Sequence, residues 1–223
     1  MIKVLSMFRR KPGMSVDDFQ AYWLGPHAES ASRLPGVKRY VQNHTLLSAY
    51  KKLEPIYDGL AELWFEDSAA LKALVGTPEL DSNYEDHKAF MDPDSYVEFI
   101  TEDIVIKDEP FKAPGVKNVE VVKRKKGMDP AEFHKYWQEV HGPLGASIDQ
   151  LRRYVQSHTR MGAYKDGNEP PLDGVALGWF ENTDEMRASA RSEQYAVTRD
   201  DEQNFLEIPL DFFIANEHVI IEG

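Results

Sequence analysis

Apolar and polar positions alternate in short stretches along this chain, and longer runs with a period near 3.6 lie between them. Residues 2 to 9 are apolar and β-prone, and Lys11-Pro12-Gly13 stops them in a turn. Ser15, with Asp18 three residues on, forms a capping-box pattern that opens an amphipathic run holding Phe19, Tyr22, Trp23 and His27. At about 100° per residue, Phe19, Trp23 and His27 fall within about 80° of one another, so the histidine points broadly with the aromatic side chains. This helix is expected to continue to Arg33 with a kink at Gly25-Pro26, and Leu34-Pro35-Gly36 ends it. An extended pattern follows from Val37 to Ala49. Asp58-Gly59 then introduces a strand over 60 to 65, helices are expected over 68 to 75 and 79 to 89, and a last strand over 96 to 106.

The pattern then starts again. Arg39-Tyr40-Val41-Gln42-Asn43-His44-Thr45 returns 114 residues later as Arg153-Tyr154-Val155-Gln156-Ser157-His158-Thr159, matching at six of seven positions. Tyr136, Trp137 and His141 stand opposite Tyr22, Trp23 and His27. Beyond a one-residue insertion near Asn168-Glu169-Pro170-Pro171, Asp173-Gly174 and Trp179-Phe180-Glu181 answer Asp58-Gly59 and Trp64-Phe65-Glu66. In the second copy Asp129, Pro130 and Glu132 take the N-cap, N1 and N3 positions of the first helix, and 213 to 221 is its last strand. Each copy runs β-α-β-β-α-β, the order of a ferredoxin-like unit with one antiparallel sheet and helices on one face. The expected domains are 1–108 and 116–223. The linker, 109–115, carries two prolines and reaches about 25 Å when extended.

Composition narrows the function. The 223 residues are 42% hydrophobic and 11% aromatic with no low-complexity tract, as in an ordered globular protein. A formal net charge of -12, without a clustered basic patch, argues against nucleic acid and against an anionic membrane surface. The absence of cysteine excludes disulfides, thiolate nucleophiles and Cys-ligated metals or clusters. Met1 to Leu5 reads as strand rather than secretion signal, and no apolar run reaches the roughly 20 residues that span a bilayer. The expected location is the cytoplasm.

The candidate chemistry lies in the repeated residues. Strand alternation puts Tyr40, Gln42 and His44 on one face and Arg39, Val41 and Asn43 on the other, and the second copy repeats this with Tyr154, Gln156 and His158. Among seven histidines, His27 pairs with His141 and His44 with His158, whereas His87, His134 and His218 face Glu202, Gln20 and Asp103 in the other copy. Those three read as solvated or locally hydrogen-bonded. The duplicated imidazoles can donate and accept near neutral pH, which suits proton transfer. Trp23, Trp137, Trp64 and Trp179 read as core or pocket wall, Asp58 and Asp173 as turn residues or substrate contacts, and Arg39 and Arg153 as surface charges or anion anchors. His and carboxylate together can bind a metal, but without HExxH, an EF-hand loop or a close His-x-His that signal is weak, and with no phosphate loop and no G-x-S-x-G a nucleotide and serine hydrolysis have no sequence support.

These residues resemble the EthD family: Arg9 to Ser15, Phe19 with Tyr22-Trp23, His27, Leu34-Pro35-Gly36, Arg39 to His44, and Phe90 to Ser95. In the second half the resemblance covers Gly127 to His158 and Asp173 to Glu181, while Phe205 to Pro209 departs from the tail pattern. It implies a dimeric α+β barrel in which two ferredoxin-like units pack their sheets together, here within one chain, so either a monomer with a pseudo-dimeric barrel or a homodimer. Related enzymes include cofactor-free decarboxylases, dehydratases, cyclases, isomerases and monooxygenases acting on small aromatic or lactone-like compounds. On that basis the chain is expected to be a cofactor-independent lyase or isomerase acting on a small aromatic, polyketide-like or catabolic organic acid. His27 or His141 is then general acid/base, His44 or His158 a proton relay, and Tyr40 or Tyr154 an oxyanion donor. Trp23, Gln42, Asp58, Trp137, Gln156 and Asp173 are the expected substrate contacts, and neither metal nor cofactor is expected. The alternatives are a non-catalytic small-molecule binder and a monooxygenase, cofactor-free or haem-dependent.

Overall fold

The structure, a computed structural model, describes residues 1–51, 53–112 and 114–223. The first half contains β1 (Ile2–Phe8), α1 (Val16–Tyr22), α2 (Ala28–Ala31), β2 (Val37–Thr45), β3 (Gly59–Phe65), α3 (Ser68–Leu74), α4 (Pro78–Phe90) and β4 (Val97–Asp108). The second contains β5 (Val116–Val122), α5 (Pro130–Tyr136), α6 (Gly142–Ala146), β6 (Arg153–Thr159), β7 (Gly174–Phe180), α7 (Thr183–Ser189), α8 (Glu193–Asp201) and β8 (Asp211–Ile221). The fold is mixed α+β with antiparallel pairing, in the ferredoxin-like order expected. Among the described residues no helix is long and apolar enough to cross a membrane.

Two compact units emerge, Met1–Ile100 with Glu217–Gly223, and Thr101–Asn216, so each unit takes one strand end from the other half of the chain. β4 ends at Asp108 and β5 begins at Val116. The expected linker between them includes Ala113, which lies outside the described residues.

In the first unit β3 is central. It pairs with β1 from Ile2↔Phe65 to Phe8↔Gly59 and with β2 from Val37↔Phe65 to His44↔Gly59. β1 is buried along its whole length because both faces are covered. Ile2, Val4 and Phe8 enter the helix-side core, while Lys3 points the other way to pair with Glu62 at 2.8 Å. Phe8, Phe19, Trp23 and Phe90 fill that core as tilted and edge-on rings 4.9 to 6.1 Å apart, geometries that favour the ring quadrupoles. In the second unit the order is β4-β6-β7-β5-β8, with Phe133, Trp137 and Phe205 as the matching aromatic cluster.

Local signals explain the element ends. Gly13 and Gly127 both sit at φ +85°, where a Cβ is strained, and close the turns Lys11–Met14 and Lys125–Met128. Ser15 Oγ accepts from the Asp18 N–H at 3.1 Å, and Asp129 accepts from Ala131 and Glu132, removing orphan donors at each helix start. β2 is shorter than expected: it ends at Thr45, and a turn closed by Ala49 N–H on Leu46 C=O takes over.

Candidate active site

The expected kink in the first helix is a π-helical turn, Trp23–His27, with its counterpart at Trp137–His141. The first contains Gly25-Pro26 and the second Glu139-Val140, so proline does not make it. The N–H of Ala28 reaches back five residues to the Trp23 carbonyl, and Gly142 does the same to Trp137. Such widened turns recur at functional sites because they re-aim side chains. Here the turn also presents the tryptophan carbonyl to the sheet, where Gln42 Nε2 donates to Trp23 C=O at 2.8 Å and Gln156 Nε2 to Trp137 C=O at 2.8 Å.

The alternating strand face therefore meets the helices. His44 Nε2 contacts Gln42 Oε1 at 2.8 Å, an amide oxygen that can only accept, so this nitrogen carries the proton. Gln42 Nε2 also donates to the Tyr40 hydroxyl at 2.8 Å, and His158, Gln156 and Tyr154 repeat the ladder at 3.0 and 3.1 Å. Trp23 and Trp137 stack on His44 and His158 at 4.2 and 4.3 Å, 14° from parallel. A second imidazole packs edge-on against each from a non-equivalent place: His218 on His44 at 4.6 Å, and His134 on His158 at 4.7 Å. Burial first, then that neighbouring imidazole, brings His44 and His158 down to about 3, and burial raises Tyr40 and Tyr154. All four are neutral at pH 7 and almost fully covered, which describes a strut between sheet and helix.

The helix histidines are arranged differently. His27 Nδ1 lies 2.7 Å from Asp86 Oδ2 on α4, and the other carboxylate oxygen accepts the Tyr22 hydroxyl at 2.6 Å. His141 Nδ1 lies 2.9 Å from Asp201 Oδ2 on α8, with Tyr136 on Oδ1 at 2.7 Å. Phe90 and Phe205 pack on the two imidazoles at 4.7 and 4.8 Å. Burial lowers both histidines below their ordinary value, against the opposing pull of the aspartates. Asp201 is lowered, since hydrogen bonds from Tyr136, His141 and Asn204 outweigh its burial. Neither imidazole's Nε2 has a hydrogen-bond partner among the described residues, and neither is among the polar atoms sealed in the interior. A carboxylate on Nδ1–H fixes the tautomer and leaves Nε2 as a basic nitrogen.

Among the described residues no hydrogen bond or ring contact joins His27 to Tyr40 or His44, so helix dyad and strand ladder are separate networks. Asp86 and Asp201 carry no role in the sequence reading. Their signal was the 115-residue spacing that already relates Asp58 to Asp173.

Asp58 and Asp173 act as clamps. Asp58 accepts from the Arg10 backbone N–H, the Arg10 guanidinium and Tyr50, and Asp173 from Arg124 in the same two ways and from Tyr164. These bonds tie the start of β3 or β7 to the segment just after its neighbouring strand, β1 or β5. Arg39 and Arg153 lie over Trp64 and Trp179 at 5.2 Å, on the face away from the helices.

Around the shared dyads the two units differ. Beside His27 stand His87, with rings 5.2 Å apart, and Tyr96, 5.5 Å from His87. Tyr96 and Ser6 hydrogen-bond Glu98. His87 is brought down to about 4 by burial and by His27, so it belongs to this cluster and is not simply a solvated side chain. In the second unit Glu202 follows Asp201, and Arg199 bridges it to Glu120.

Comparison with known proteins places this architecture. The chain is similar over its whole length to an anthrone oxidase-like protein (9% identity, covering 99% of this chain and 94% of that one, TM-score 0.67). It is similar also to a candidate monooxygenase from Lactobacillus acidophilus NCFM (12%, 100% and 96%, 0.59). A mutant chlorite dismutase from Candidatus Nitrospira defluvii aligns as well (8%, 98% and 91%, 0.52). At such identities these likenesses show a shared fold. A search of curated proteins finds no match. The EthD domain matches residues 11–94 and again residues 125–209. The chain is thus a tandem member of the EthD family, with one EthD domain in each half.

Proposed function

We propose that this protein is a base-catalysed enzyme that removes a proton from an activated C–H or phenolic O–H of a small aromatic or carbonyl compound. The observation that carries the reading is the dyad: Nδ1 of His27 and of His141 is committed to an aspartate at 2.7 and 2.9 Å, and Nε2 is left without a partner among the described residues. A base must be neutral before it acts, and burial favours the neutral imidazole. When Nε2 takes the proton, Asp86 or Asp201 stabilises the imidazolium, as the aspartate of a catalytic triad does. Tyr22 and Tyr136 hold the second carboxylate oxygen and keep the aspartate aimed at the ring.

The fate of the resulting anion sets the reaction class. Return of the proton to another atom is isomerisation, and loss of a leaving group or of carbon dioxide is a lyase reaction; both fit the cofactor-independent chemistry expected from sequence. Capture of the carbanion by oxygen is oxidation, and the anthrone oxidase-like and candidate monooxygenase relatives favour this second reading. All begin with the same base. The strand residues Tyr40, Gln42 and His44, with their counterparts, support the reading as scaffold.

The test is deuterium incorporation. Anthrone and simple 1,3-dicarbonyl compounds, incubated in D2O with the protein under nitrogen, are expected to exchange their acidic C–H faster than with buffer. The double variant His27→Gln, His141→Gln should lose about 10² to 10⁴ in that rate. Tight binding of these probes with no exchange would favour the binding-protein reading and reject this one.

A further inference from the structure

Glu202 occupies, in the second unit, the place that His87 occupies in the first: each directly follows the dyad aspartate, Asp201 or Asp86. His87 puts its ring 5.2 Å from His27. The two frames match in the aspartate bond, the tyrosine bond and the phenylalanine contact. By this equivalence the repeat assigns Glu202 the place next to His141 that His87 holds next to His27.

Its surroundings hold more carboxylates than cations. Arg199 Nη1 lies 2.9 Å from Glu202 Oε1 as an ion pair and donates to Glu120 Oε1 at 3.4 Å. Glu120 also accepts from Asn118 at 3.0 Å. Facing Glu202 are Glu120 from β5, Arg199, Asp201 and Tyr195 from α8, and Tyr154 from β6. Two carboxylates, Glu202 and Glu120, thus share one guanidinium, with Asp201 next in the chain and His141 neutral. Like charges so placed do not all ionise, and the most buried one keeps its proton. That one is Glu202, whose side chain is 5% exposed against 11% for Asp201 and 21% for Glu120. Burial first, then Glu120, pushes it up to about 8. Oε1 faces the Arg199 guanidinium, and Oε2, with no partner among the described residues, is left to carry the hydrogen.

We propose that Glu202 is the proton donor of the second unit, working opposite His141 on an enolisable compound that bears a β-oxygen leaving group. This rests on the base role of His141. His141 Nε2 takes the α-proton, the C–H electron pair forms the C=C bond, and the β C–O bond breaks. The Glu202 proton goes to the departing oxygen, which leaves as water or an alcohol. The imidazolium and the carboxylate then return to their starting states by exchange with solvent. A neighbouring base and acid whose surroundings push their proton affinities apart form the usual pair for such a step.

Two measurements test this. Infrared difference spectra of wild type against Glu202→Gln should show a protonated carboxyl C=O band at neutral pH that fades as pH rises through about 8. Its absence at neutral pH overturns the proposal whether or not the variant folds normally. In a His27→Gln background, 4-hydroxy-2-butanone, which can exchange its α-proton and also lose water, is followed by NMR in D2O. Glu202→Gln should lower the ratio of elimination to exchange by about 10²-fold or more, whereas His141→Gln should lower both rates together. An unchanged ratio overturns the donor role. If the carboxyl band is present but the background protein drives no exchange, the base reading of His141 fails and takes the donor role with it.

Discussion

Acidification should destabilise this protein through the two strand histidines, and the amount depends on how they are packed. His44 and His158 are 3% and 4% exposed, stacked on Trp23 and Trp137, and brought down to about 3. Their folded affinity for protons is below the unfolded value of about 6.5. Their contribution is therefore complete above pH 6.5 and is lost as pH falls toward 3. At about pH 5 nearly every unfolded imidazole is protonated and almost no folded one is, which costs about 2 kcal/mol per site and about 4 kcal/mol for both. That is a large share of the roughly 5 to 15 kcal/mol that holds a domain together. Urea unfolding followed by tryptophan fluorescence, at about pH 7 and about pH 5, measures the loss. His44→Gln lowers stability at both pH values by breaking the ladder, but should shrink the difference between them by about 2 kcal/mol. If wild type and variant lose the same amount on acidification, His44 titrates in the folded state like a solvated imidazole and the strut description is wrong.

The packing also predicts the behaviour of the dyad and of two glycines. Asp86→Asn replaces a charged acceptor by a neutral one, so His27, which Asp86 pulls upward, should bind its proton at still lower pH. By NMR the His27 titration should move down and the exchange plateau should fall about 10²-fold or more, and an upward shift would contradict the dyad. Gly59→Ala sets a Cβ 2.2 Å from Trp23 Cζ3, so it should cost about 1 to 3 kcal/mol in urea unfolding. Gly25→Ala, which meets nothing within 4 Å, should be neutral or slightly stabilising.

Much of this architecture is legible in the residues alone. The strand period of two put Tyr40, Gln42 and His44 on one face, and they do share one hydrogen-bonded ladder. Which layer that face meets is not in the periodicity, because β2 is buried on both sides from Tyr40 onward and apolar or polar content cannot tell helices from a second layer. The π turns left no residue signature: Gly25-Pro26 and Glu139-Val140 share nothing except their place one turn after the tryptophan. The tryptophan carbonyl that accepts the shifted backbone bond also accepts from a glutamine 19 residues away, a long-range partner that no local pattern announces.

The aspartates were harder to see for a related reason. Asp86 sits in a helix of low amphipathicity among Glu85, His87 and Lys88, where a carboxylate reads as a solvated charge. Only its 115-residue relation to Asp201, and the matching relation of Phe90 to Phe205, separates it from its neighbours. The same comparison shows where the copies part. Tyr22, His27, Asp86 and Phe90 recur as Tyr136, His141, Asp201 and Phe205, but His87 becomes Glu202, Tyr84 becomes Arg199 and Ser6 becomes Glu120. All three changes introduce ionisable groups, one on β5 and two a helical turn apart at the end of α8, and they meet at one guanidinium. Arg199 lies within reach of both Glu120 and Glu202, so these three residues form one linked set rather than independent surface variation. In the proposed mechanism the invariant part of the repeat supplies the base, and the variant part supplies the group set opposite it.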